Sequence, residues 1–134
     1  MKGRIRKERE CDAAASFLRY ARYGFARREG EGFAMYDSIR GSVSGEREAA
    51  AMLAVCDTLR LLRFLGREET VAAVRAVYFV RHGRTPKRNE ISLRVRRFAA
   101  EHYLDDRTVY RRLADAKRLF LQLIDAHTGE AGRI

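Results

Sequence analysis

Arg107, Arg111 and Arg118 recur at steps of four and seven residues, with Ala114 between the last two. At about 100° per helical residue, counted from Val109, all four lie within roughly 40° of the direction opposite that valine. The spacing therefore sets three guanidiniums and a small gap along one helical edge. A guanidinium so placed can hold guanine O6 and N7 with two hydrogen bonds, which suits a DNA major groove. Thr108 and Tyr110 flank the row near its N-terminal end. A solvated charged face is the competing reading of such a row, and its surroundings must decide.

Those surroundings are two amphipathic segments. Val109, Leu113, Ala116, Phe120, Leu123 and Ile124 step by four, three, four, three and one, which predicts a helix from Asp106 to about His127. Ile91, Val95, Phe98 and Ala99 make a second stripe and predict a helix from about Asn89, a possible cap, to Tyr103. Leu104, Asp105 and Asp106 lie between them, and either aspartate can cap the second helix by accepting from its free N–H groups. Two such helices joined by so short a turn must cross, which is the helix-turn-helix arrangement.

The run Ala99-Ala100-Glu101, then Leu104-Asp105-Asp106-Arg107-Thr108-Val109-Tyr110-Arg111-Arg112-Leu113, resembles the helix-turn-helix of sigma-70 region 4-like domains. It is similar in particular to small phage transcriptional regulators of the ArpU and RinA type, over residues 71–124. The resemblance implies sequence-specific binding of double-stranded DNA in transcription. Turns of that family usually carry a glycine where this chain has Tyr103, which leaves a reshaped turn or an extended helix as the two expectations.

Composition agrees with an all-α fold. The 134 residues are 46% hydrophobic and 34% charged, with one proline and no long alternating β-branched run. The length predicts one domain, or one with a small extension, and the apolar pattern predicts about five helices. An N-terminal helical region covers 1–66, an unwinged helix-turn-helix region 67–127, and a short tail 128–134. Net charge is +10, which points to a polyanion. The charge is unevenly spread: residues 80–118 hold 12 basic and 5 acidic side chains, and residues 1–28 hold 9 and 3. Residues 29–79 hold 6 and 8, so two basic regions flank a middle without surplus positive charge.

On this reading Arg107, Thr108, Tyr110 and Arg111 face bases, while Arg112, Lys117 and Arg118 reach phosphates. Arg84, Lys87, Arg88, Arg94 and Arg97 position the nucleic-acid backbone. No cofactor is implied. RNA polymerase and a second copy of the chain are further candidate partners.

The remaining segments read as support. A first helix is expected from Arg6 to Arg28, with Cys11, Ala14, Ala15, Leu18 and Phe25 as its stripe, Phe17, Tyr20 and Ala21 widening it, and Gly24 as a weak point. Residues 29–45 read as loop with a turn of helix around 34–40, pinned by Phe33, Met35, Tyr36 and Ile39. A second helix runs from Ser44 or Gly45 to Gly66, with Gly45 and Glu48 at capping-box spacing. Its end, Leu61 to Leu65, is apolar almost all round, so it is either a central helix or a dimer contact. A further helix spans about 67–81, and Gly83 and Pro86 break the chain after it.

Phe79-Val80-Arg81-His82-Gly83-Arg84-Thr85 also resembles the phosphohistidine motif of histidine phosphatases, in which His82 would be the nucleophile. That family sets the motif after the first strand of a large α/β domain, and no βα alternation follows here. Cys11 and Cys56 sit at core spacing and read as reduced and inert. The histidines and cysteines lack metal-ligand spacing. No apolar run approaches the roughly 20 residues of a membrane span. The basic start lacks a signal-like stretch, and the chain reads as cytoplasmic. A phage terminase small subunit, also a DNA-recognition protein, is the alternative within DNA binding.

Overall fold

Spacings of three and four between apolar residues become buried helix faces throughout the computed structural model, which describes residues 2–28, 34–79 and 86–128. Among these the secondary structure is six α-helices and one 3-10 turn, with no strand. The helices are α1 (Lys2–Arg22), α2 (Ala34–Ser42), α3 (Glu46–Phe64), α4 (Glu68–Tyr78), α5 (Arg88–Glu101) and α6 (Asp106–Thr128). Arg84, His82 and Phe33, each singled out above, lie outside the described residues, as do the side chains of Cys11 and Arg88.

The sixth helix is α2, longer than the single turn expected. Met35 and Ile39 are buried as anticipated, and Tyr36 packs against the core from its edge. The first helix stops at Arg22 because Gly24 takes a φ of 86°, a conformation glycine enters without a Cβ penalty. Gly24 is thus a break rather than a weak point, and Phe25–Arg28 continues as a 3-10 turn. The buried stripe of α1 is also rotated from the expected one. Ala13, Phe17 and Tyr20 are fully buried, while Ala14 and Leu18 pack at the margin. The reason is aromatic: Phe17 packs its ring, tilted, against both Tyr78 of α4 and Phe120 of α6, each at 5.6 Å between ring centroids.

The central layer is α3 against α6. Residues Ala50 to Cys56 of α3 are buried without a gap, because α1, α2, α4 and α6 all pack against this helix. The central-helix expectation therefore holds through Leu62, whereas the last turn leaves Phe64 and Leu65 exposed. The capping box does not form as expected. Glu48 instead accepts from Arg19 Nε at 2.9 and 3.1 Å and from the Tyr23 hydroxyl at 3.2 Å.

On α6, Val109, Leu113, Ala116 and Phe120 are all buried. Full burial of a valine, leucine or phenylalanine contributes roughly 1.5–3 kcal/mol each, so this seam fixes the rotation of α6 about its axis. At its far end His127 Nε2 lies 2.6 Å from Asp57 Oδ2 on α3. The Tyr36 hydroxyl donates to the other oxygen of the same carboxylate. One aspartate thus ties α2 and α6 to α3. Burial, and then the hydrogen bond to Asp57, push the Tyr36 hydroxyl up to about 12. Among the described residues no helix is long and apolar enough to cross a membrane.

Candidate nucleic-acid interface

The site starts from the turn that launches α6. At the end of α5, the Leu104 N–H donates to the Ala99 carbonyl at 2.8 Å and the Tyr103 N–H to the Ala100 carbonyl at 3.4 Å. This pair of bonds is a Schellman closure, with Tyr103 at its left-handed position, φ 57°. α5 ends at Glu101 and does not run on through Tyr103, contrary to one of the two expectations for a chain lacking glycine there. Tyr103 takes the glycine's conformation, at roughly 1–2 kcal/mol for a residue with a Cβ. Its side chain is 95% exposed.

Asp105 is the aspartate that caps. Its Oδ1 accepts from the Thr108 N–H at 2.8 Å, so the helix starts with a satisfied donor and a favourable charge. The bonds from the Thr108 N–H and hydroxyl hold the Asp105 carboxyl below the usual carboxylate value, helped by the fields of Arg107 and Arg111. Arg96 Nε approaches Asp106 Oδ2 at 3.9 Å and spans the turn from α5 to α6. Thr108 is therefore partly engaged in capping.

With the Val109–Phe120 seam buried, the opposite edge must face outward. Arg107 and Arg111 are both exposed and have no hydrogen bond or ion pair to a described residue. Tyr110 stands beside them, 46% exposed. Arg118 continues the edge but pairs with Asp115, one turn back. Arg112 and Lys117 are half-buried. The Lys117 ammonium sits 5.8 Å from the centre of the Tyr78 ring, a cation–π contact with the protein's own body.

The supporting residues divide likewise. Lys87 is exposed at the N-cap of α5, one residue before the helix begins, so Asn89 is not the cap. Arg97 is exposed on α5. Arg94 is turned inward: its Nη1 donates to the Val77 carbonyl at 2.8 Å, its Nη2 lies 3.5 Å from Glu90, and its side chain is only 12% exposed. It fastens α5 to α4 and has little surface left for an outside partner. Sequence reasoning passed over Arg96, 72% exposed, and did not count Tyr103 as a site residue. The missing turn glycine was the one signal pointing to Tyr103.

The structure thus gathers Arg107, Tyr110 and Arg111 on the first turns of α6, with Lys87, Arg96 and Arg97 exposed on and beside α5. Helix α4 ends at Tyr78, just before Phe79 opens the motif, so the described residues ahead of it are helical where the phosphatase pattern has a strand. No family model, curated protein or solved structure matches this chain.

Proposed function

We propose that this protein is a sequence-specific DNA-binding regulator of transcription, with α5 and α6 as a helix-turn-helix and the first turns of α6 read in the major groove. The observation that carries the reading is the pair Arg107 and Arg111. These are two exposed guanidiniums, four residues apart, on a helix whose opposite face is locked into the core. Four residues advance a helix by about 6 Å, and two base steps advance a DNA strand by about 7 Å. Both arginines can therefore reach guanines along one groove. Tyr110 adds an adjacent contact to a base edge. Lys87, Arg96 and Arg97 supply charge for flanking phosphates, and the surplus on residues 80–118 draws the duplex in.

The direct test is selection of binding sequences from a random duplex pool, followed by anisotropy titrations at roughly 50 and 200 mM salt. The reading expects one enriched sequence class and an affinity that falls steeply with salt. A wild-type chain that binds no duplex at the lower salt would overturn it.

A further inference from the structure

We infer that Tyr103 is an additional contact to the duplex, its hydroxyl donating to a backbone phosphate beside the groove that receives α6; this rests on the DNA-binding reading above. Among the described residues Tyr103 is the single non-glycine with positive φ, the others being Gly24, Gly45 and Gly66. The turn's own hydrogen bonds use only backbone atoms, which glycine would supply without strain. Nor does the ring serve the fold. It is 95% exposed and has no hydrogen bond or ring contact to a described residue. A strained backbone holding a side chain that the protein itself does not use points to something outside the chain.

The surroundings indicate what that is. Exposed Arg96 and Arg97 precede Tyr103 in the chain and exposed Arg107 and Arg111 follow it, so four cations lie within eight residues of the ring, with Arg96 facing Asp106 across the turn. Two of the nearby carboxylates are already engaged, Asp105 by the Thr108 N–H and Asp106 by Arg96. The exposed phenol offers a neutral donor to an outside acceptor. Tyrosine hydroxyls are among the regular neutral donors to phosphate oxygens. Since the group is uncharged, its contact should add affinity without releasing a counterion.

The experiment uses the full chain, one selected and one unrelated duplex, and the variants Tyr103→Gly and Tyr103→Phe, titrated at two salt concentrations. Both variants should lose affinity by a similar factor on both duplexes, roughly three- to tenfold for one hydrogen bond. Their salt slopes should match the wild type. The glycine variant should also melt higher by about 3 °C, which shows that the weaker binding is not unfolding. Glycine-variant binding equal to wild type overturns the inference. So does a loss confined to the selected duplex, or a phenylalanine variant that binds normally. These outcomes presuppose wild-type binding; a wild type that binds neither duplex strikes the DNA reading itself, and this inference with it.

Discussion

The ends of α3 and α5 close with the same two backbone hydrogen bonds but fill the left-handed position differently. After α3, Arg67 N–H donates to Leu62 O at 2.8 Å and Gly66 N–H to Arg63 O at 3.0 Å, with Gly66 at φ 76°. After α5 the matching distances are 2.8 and 3.4 Å, with Tyr103 at φ 57°. The first turn has the residue its backbone favours. The second has an aromatic its backbone resists. Since the geometry is common to both, the turn itself does not require the tyrosine, and the strain sits beside the exposed arginines of α6. A position that breaks a local rule next to a proposed binding surface is where function is best sought.

The comparison can be broken or sharpened in several ways. The largest effect should come from Leu62→Ala, which removes the buried side chain anchoring the first turn. Leu62 is 1% exposed, and such truncations cost about 2–5 kcal/mol. Denaturant unfolding reads this out, and a loss under 1 kcal/mol would mean the first turn is not anchored as described. The second turn's importance should appear in binding instead. Arg107→Ala should leave unfolding nearly unchanged while weakening a selected site by about 1–3 kcal/mol and relaxing the preference at one position. Equal weakening on every sequence would make Arg107 a phosphate contact.

Moving the tyrosine to the other turn isolates the strain. Gly66→Tyr should cost roughly 1–2 kcal/mol, because a Cβ built there meets nothing within 4 Å and only the backbone conformation is penalised. No change in melting temperature would remove the strain argument at Tyr103 as well. The smallest effect concerns pH. The Asp105 carboxyl is held below its ordinary value of 3.8, so its cap is fully effective above that pH and weakens as pH falls beneath it. The wild type should therefore lose melting temperature faster than Asp105→Asn as pH falls from about 4 to 2, since asparagine caps without titrating. Parallel curves would show that the carboxylate charge contributes nothing at this turn.

Much of the frame was legible because burial follows helical period. The seam Val109, Leu113, Ala116, Phe120 is buried as read, and on α4 Val71, Val74 and Val77 are buried at the same helical spacing. Periodicity also placed Arg107 and Arg111 outward, since one buried face implies its opposite. It failed where several partners compete for one helix. The stripe of α1 turned toward Phe17 and Tyr20 because two other helices supply aromatic neighbours, which no window within α1 contains. Polar pairing was illegible for a similar reason. Arg94 and Arg97 look alike in sequence, yet the Val77 carbonyl draws one inward and nothing comparable among the described residues reaches the other. Glu48 likewise had a local role available and took a partner 29 residues away.

The 23 residues of α6 form one rod of about 34 Å, with the Arg107–Arg111 edge near one tip and the Asp57–His127 link near the other. Its residues are helical without interruption from Asp106 to Thr128. Occupancy of the outer tip must therefore register as resistance to unfolding throughout the molecule. A duplex held at a hundred times its dissociation constant would add about 2.7 kcal/mol to that resistance. The gain should be visible as slowed amide exchange at Met52 and Val55, deep in α3, where no nucleic acid can reach.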